Sequence, residues 1–151
     1  MGSKSDLPFS KKIKEEIEKY NIFVDMRIVS AHKNGENISE ITSEYNNSIE
    51  PGAVIAVAGR SNGLGGALSA NLNIPVFNCP PFKDKIDMLT NVNSSLMMPS
   101  NTPAATVIDP KNAALISLRS LNIKRLKDKF SKEILKMKEG LKKDDEKIRN
   151  D

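Results

Sequence analysis

Three short segments carry the residue types that could do chemistry: Met1-Gly-Ser-Lys-Ser-Asp6, Ser30-Ala-His-Lys33 and Ala58-Gly-Arg-Ser-Asn-Gly63. His32 is the single histidine of the chain. Imidazole is the one side chain whose unperturbed titration falls near neutrality, so it suits proton transfer. It stands beside Ser30 and Lys33 in a polar turn after an apolar β-rich run; a purely structural histidine is the competing reading. In the first segment two hydroxyls, Ser3 and Ser5, precede a helix start and could hold an anion. Asp6 could accept hydrogen bonds from vicinal hydroxyls, a combination that suits a ribose phosphate. An ordinary loop ending in a helix cap explains the same residues. In the third segment Arg60 could grip a carboxylate or phosphate in bidentate fashion. Glycines at 59, 63, 65 and 66 would let backbone approach a ligand, or serve only a tight strand-to-helix turn.

Other chemistries have little support. One histidine and one cysteine cannot supply a usual zinc site, and no acidic run has calcium-loop spacing. There is no P-loop, dinucleotide fingerprint or nucleophile elbow. Cys79 reads as a small buried residue rather than a nucleophile, because no second histidine could activate it. Asn78-Cys-Pro-Pro81 and Ser94–Ser100 are segments that could complete a pocket.

The elements that would position these residues alternate. Leu7–Tyr20 has Ile13 and Ile17 among charges, an amphipathic helix with Asp6 and Pro8 at its start. Phe23–Val29 reads as a strand and Glu36–Ile49 as a helix. Ala53–Ala58 is a continuous apolar run, as expected of a strand covered on both faces. Gly63–Leu72 is a small-residue helix, Pro75–Cys79 a strand, Asp84–Val92 a helix, Ala104–Ile108 a strand and Lys111–Leu121 a helix. This order predicts an α/β fold, a doubly wound three-layer sandwich on a parallel sheet. All three chemical segments then open on one sheet edge, where open α/β folds bind ligands. The strand that should deliver Gly2–Asp6 to that edge is missing from the sequence. A start placed late, with an apolar β-rich stretch just upstream, or a trimmed first strand is expected.

Composition bounds the rest. The 151 residues suit one core, and the lone Cys79 without a leader-like start suggests a reducing, cytoplasmic setting. The net charge of +4 resides wholly in residues 124–151, with eleven basic and seven acidic residues. Leu126, Phe130, Ile134, Met137 and Leu141 there form one helical stripe. Mixed Lys and Glu around it read as a solvated face, not a nucleic-acid patch. Residues 1–123 are therefore the expected α/β domain. Residues 124–151 are an amphipathic helix expected to pack on that domain or on a neighbouring subunit, and no membrane span or nucleic-acid partner is expected.

Taken in order, the three segments together with Cys-Pro-Pro81, Ser94-Ser-Leu-Met-Met-Pro-Ser100 and Pro110-Lys-Asn-Ala-Ala-Leu115 resemble the aminoimidazole ribonucleotide carboxylases of purine biosynthesis. The resemblance runs from residue 1 to about 122. Ser-Ala-His-Lys33 and Arg60-Ser-Asn-Gly-Leu64 are similar to the branch that uses carbon dioxide directly, rather than to the N5-carboxyaminoimidazole ribonucleotide mutases. The resemblance implies a flavodoxin-like fold and reversible carboxylation of 5-aminoimidazole ribonucleotide at C4, with no metal, biotin or other cofactor. It implies that Ser3 and Asp6 hold the ribose phosphate, aided by Ser30, Gly59, Arg60, Ser61 and Asn62. His32 would remove the C4 proton, and Lys33 would meet carbon dioxide or the new carboxylate. It also implies a homo-octamer or homotetramer. Met97 and Asn101 depart from the family's usual Arg and Gly. Mutase activity, or a flavodoxin-like module that binds nucleotide without catalysis, are the alternative readings.

Overall fold

The computed structural model describes residues 1–150 and divides into two units, Met1–Leu121 and the segment from Asn122 onward. In the first unit the apolar runs become three parallel strands, β1 (Val54–Ala56), β2 (Val76–Asn78) and β3 (Ala105–Thr106), in that spatial order. They coincide with three of the expected strands, shortened at both ends. The helices are α1 (Leu7–Glu18), α2 (Asn37–Asn46), α3 (Gly63–Asn71), α4 (Lys85–Leu96) and α5 (Pro110–Ser120). Helix α1 packs against α5, α2 against α3, and α4 lies beside β3. Val29, Ile38, Ile41, Ala56, Leu64 and Leu68 form a core between the sheet and the α2–α3 layer. Ile13, Ile17, Ala114 and Leu118 are buried on α1 and α5.

Helix starts follow from their caps. The Asp84 carboxylate accepts from the Ile86 and Asp87 amides, each at 2.9 Å. Asp109 accepts from Asn112 N at 2.7 Å, with Pro110 in the first turn, where its missing N–H costs nothing. Helix α4 runs four residues past the expected Val92, because Ser95 is fully buried and returns its hydroxyl to Asn91 O at 2.9 Å.

The largest difference from the sequence reading concerns Phe23–Val29, which is extended in part but forms no strand. A strand needs a neighbour, and only Met1 and Gly2 lie between this segment and β1. Met1 N donates to Arg27 O (2.7 Å), Val29 N to Met1 O (3.0 Å) and Gly2 N to Val57 O (2.9 Å). These are parallel-sheet bonds on both sides of a two-residue stub. The rest of the segment is tied to α2 by side chains: Arg27 contacts Glu44 at 3.0 Å and Asp25 at 3.4 Å, and the Tyr45 hydroxyl donates to Asp25 at 2.7 Å.

The second unit holds helix α6 (Lys124–Asn150), 27 residues and about 40 Å long. Ion pairs one turn apart line its surface, among them Lys124 with Asp128 and Lys142 with Glu146. Of the expected stripe, Leu126 and Phe130 are buried whereas Met137 and Leu141 are exposed. No helix of the described residues is long and apolar enough to cross a membrane.

One close approach dominates the packing of α3. A Cβ on Gly65 would lie 1.9 Å from Oδ1 of Asn78, a fully buried residue of β2. The substitution Gly65→Ala therefore lowers unfolding free energy by about 1 to 3 kcal/mol in denaturant titration, despite the better helix propensity of alanine. Adding Asn78→Ala to Gly65→Ala removes the clash, so the double-mutant cycle shows favourable coupling of order 1 kcal/mol; additive losses would contradict this packing.

Candidate active site

The ends of the strands and the turns that follow them enclose a cleft of about 590 Å³. Ser3, Asp6, Ser30, His32, Lys33, Gly59, Arg60 and Asn62, residues singled out from the sequence, all line it. Ser61 does not: it is exposed and lies outside the lining. Of the two segments expected to complete a pocket, Pro81 takes part, whereas Ser94–Ser100 stands apart and Met97 is 81 % exposed. Asn101 has a left-handed backbone (φ 64°), a conformation asparagine tolerates well.

The first wall is the stub and the turn after it. Once Gly2 is bound to Val57, the chain turns through Lys4–Asp6 into α1. Ser3 Oγ accepts from Ser5 N (3.3 Å) and Ser5 Oγ (3.0 Å), which fixes both hydroxyls at the cleft. Burial raises the pKa of Asp6 above its ordinary value, while the Ser3 backbone and the Met1 ammonium oppose that rise. A partly desolvated carboxylate of this kind is a strong acceptor for ligand hydroxyls.

The second wall is the turn after Val29. Asn34 Oδ1 accepts from Ser30 N at 2.8 Å, and Ser30 O accepts from the amides of Lys33 and Asn34. This closes a compact turn that presents His32 and Lys33 on the surface of the cleft. The imidazole stands over the start of α3, because Gly63 has no side chain. A Cβ there would come within 2.9 Å of His32 Cε1 and 3.0 Å of Nε2.

The third wall is the turn between β1 and α3. Its glycines serve close approach only, since no glycine of the described residues has positive φ. The left-handed position falls instead on Arg60 (φ 60°), a conformation that costs a non-glycine residue roughly 1 kcal/mol or more. Asn91, buried on α4, holds it there: Oδ1 accepts from Arg60 N at 2.8 Å and Nδ2 donates to Pro81 O at 2.8 Å. Asn62 caps α3 through Gly65 N (3.2 Å) and donates to Ser95 Oγ (2.9 Å). Both ends of its side chain are thereby engaged in holding the turn, which leaves its contribution to the cleft a matter of shape.

Sequence reading missed Lys12, Lys83, Asp87 and Asn91, which also line the cleft. Lys12 follows Pro8 by one helical turn on α1, a spacing that could have flagged it; the others lie on distant segments with no local signal. Lys12, Lys33, Arg60 and Lys83 form no ion pair among the described residues, so four free cations face two carboxylates, Asp6 and Asp87. Such a balance favours a dianionic or more highly charged ligand. No group of three or more metal-ligating side chains exists among the described residues. Cys79 lies outside the cleft, fully buried, with its thiol pushed up to about 12 by burial and by the nearby Asp109.

A second hollow lies between Phe23–Val29 and β1, with an apolar lining drawn from both helix layers. Its walls carry none of the turns described above. The polar and cationic cleft at the strand ends is the one equipped for chemistry.

The chain is similar to known proteins along most of its length. A family model described as AIR carboxylase matches residues 1–144. A phosphoribosylaminoimidazole carboxylase from Archaeoglobus fulgidus is 44 % identical over 115 residues, covering 76 % of this chain and 62 % of the relative. A bifunctional phosphoribosylaminoimidazole carboxylase/phosphoribosylaminoimidazole succinocarboxamide synthetase from Drosophila melanogaster is 44 % identical over 115 residues, 76 % of this chain. The chain spans only 27 % of the length of that larger protein. The crystal structure of Treponema denticola PurE superposes with a TM-score of 0.87 at 35 % identity, covering 97 % of this chain and 94 % of that one.

The raised pKa of Asp6 gives a test with a definite sign. A carboxylate whose folded pKa exceeds its unfolded value of about 3.8 destabilises the fold above that pKa. The penalty fades as pH falls through the folded pKa. Asp6→Asn therefore raises the melting temperature at pH 7, and the gain shrinks on acidification toward pH 3, as followed by calorimetry.

Proposed function

We propose, because this chain belongs to the AIR carboxylase family, that it carboxylates 5-aminoimidazole ribonucleotide reversibly at C4 with carbon dioxide, yielding 4-carboxy-5-aminoimidazole ribonucleotide for purine biosynthesis. One observation carries the reading: the sole imidazole stands over the start of α3 in a cationic cleft that the Ser3–Asp6 turn also lines.

The amino-substituted imidazole ring is electron-rich at C4, so it supplies the nucleophile itself. The protein has to hold carbon dioxide against that carbon and manage one proton. The new bond forms between C4 and the carbon of carbon dioxide, whose π electrons move onto oxygen to give the carboxylate. His32 then accepts the C4 proton, restoring the aromatic ring, and returns it in the reverse direction. Lys33, a compact cation beside His32, stabilises the developing carboxylate. Ser3 and Ser30 hold the phosphate with support from Arg60, and Asp6 accepts from the ribose hydroxyls. Gly59 and Asn62 shape the wall of the turn, and no cofactor enters the scheme.

The working form in this reading is a homo-octamer or homotetramer in the cytoplasm. Helix α4 exposes Ile86, Leu89 and Leu96 on one face, an apolar stripe suited to meeting another copy. Light scattering at micromolar concentration should return a discrete multiple of the 16.6 kDa chain; a monomer would contradict this.

His32→Asn should reduce kcat for bicarbonate-dependent product formation by roughly a factor of 100 to 10,000, with ribonucleotide affinity largely retained. Unchanged turnover would remove His32 from the reaction. Supplying the ribonucleotide with carbon dioxide and the N5-carboxylated ribonucleotide in separate assays distinguishes the chemistry: consumption of the second alone would assign a mutase.

A further inference from the structure

Arg60 is the one residue lining the cleft whose backbone is left-handed (φ 60°). The other non-glycine residues of that kind among the described residues, Asn21, Asn101 and Asn122, are asparagines, which tolerate it. The Arg60 side chain is exposed and has no partner of its own, so the root of the side chain alone decides where the guanidinium goes. Relaxation to the right-handed region would turn that root by about 120° about the N–Cα bond. The cation would then leave the wall it now lines.

A single amide on α4 opposes this relaxation. Asn91 is only 3 % exposed, and its amide is seated against Gly59, where a Cβ would lie 3.3 Å from Nδ2 and 3.5 Å from Oδ1. From that seat Oδ1 accepts from Arg60 N and Nδ2 donates to Pro81 O, both at 2.8 Å. Asn91 is also the middle member of a series. Asp87, one turn earlier, accepts from Lys83 N at 3.1 Å, and Ser95, one turn later, accepts from Asn62 Nδ2 at 2.9 Å. A spacing of four puts the three side chains on one face of the helix, and each holds a different segment of the cleft wall. Of the three, only Asn91 holds its segment against that segment's own backbone preference. Its two bonds have separable consequences: one ties α4 to the turn after β2, and the other sets the direction of a charged side chain.

We propose that Asn91 is a positioning residue for the ribonucleotide: by accepting from the Arg60 amide, its Oδ1 keeps Arg60 in the left-handed backbone from which the guanidinium meets the anionic end of the ligand. The proposal rests on the reading of the cleft as a ribonucleotide site in which Arg60 supports the phosphate. The cation is thereby preorganised, and no strained residue has to be turned at the moment of binding. The bond from Nδ2 to Pro81 contributes to folding, whereas the bond to Oδ1 sets affinity.

The test reads binding of 5-aminoimidazole ribonucleotide to the full chain by titration calorimetry, together with melting temperature and hydrogen exchange at the Arg60 amide. Asn91→Leu, close to asparagine in shape but without an acceptor, should weaken binding about ten- to hundredfold and speed exchange at that amide. Asn91→Asp keeps an acceptor oxygen and loses the amide donor, so it should lower the melting temperature yet hold affinity within about threefold of the parent. In an Arg60→Gly background the left-handed backbone is unstrained and the guanidinium is gone. There Asn91→Leu should change affinity by less than about twofold. Where the leucine form does not fold, Asn91→Ser, one bond shorter and unable to span the same gap, carries the same expectation. Unchanged affinity in Asn91→Leu, equal losses in the Asp and Leu forms, or the same loss with and without the Arg60 guanidinium would each overturn the proposal. A parent chain with no affinity for the ribonucleotide would overturn it together with the proposed function. Binding without carboxylation would remove the reaction alone, and a carboxylase indifferent to Asn91→Leu would remove only the role of Asn91.

Discussion

Everything at the cleft depends on a buried polar scaffold behind it. Asn91 fixes the backbone of Arg60 in a conformation that arginine would otherwise avoid, and with its other end holds Pro81. Asn62 caps α3 and reaches Ser95, whose carbonyl accepts from Asn78 at 3.3 Å and Thr106 at 3.0 Å. Two strands, two helices and two turns thus meet through amides and hydroxyls that are buried or partly buried. Such bonds contribute only about 1 kcal/mol each when made, but an unmade one costs the desolvation of its partner. The network therefore acts as a specification of geometry more than as a source of stability. It permits one arrangement of the Gly59–Gly63 turn and penalises others.

The interplay of glycine and asparagine in this scaffold is steric. Gly63 leaves room for the His32 ring, and Gly65 leaves room for the Asn78 amide; neither uses a conformation forbidden to other residues. The strained backbone is borne by Arg60, whose cationic side chain lines the cleft. Strain at a ligand-facing residue, sustained by buried partners, is a recurring feature of preorganised sites.

Most of the element pattern was legible because β1 and β2 lie in apolar runs and α3, α4 and α5 each start on a side-chain cap. Asp84, Asp109 and Pro110 mark helix starts without ambiguity, and Ala53–Ala58 has the composition of a covered strand. Phe23–Val29 misled for a physical reason: composition reports what a segment would bury, and pairing also needs a neighbour. The turns bearing Ser3, Asp6, His32 and Arg60 were legible as one site because parallel strands deliver successive turns to one edge. Asn91 was not, since an asparagine in mid-helix looks the same whether it faces solvent or supports a turn 31 residues earlier. Lys83 and Asp87 entered the cleft through tertiary packing of α4, which no local pattern encodes. Ser61 was included by adjacency, and a turn places neighbouring side chains on different sides.

The isolation of Cys79 has a practical corollary. Its sulfur is wholly enclosed, touching the carbonyl of Ile108, and it is the chain's only thiol. A folded protein of this kind presents nothing for maleimides, nitroxide reagents or gold surfaces to grip. One cysteine introduced at a chosen exposed site would then be the sole attachment point, and fluorophore pairs or spin labels could report distances across an assembly without a cysteine-free background having to be engineered first.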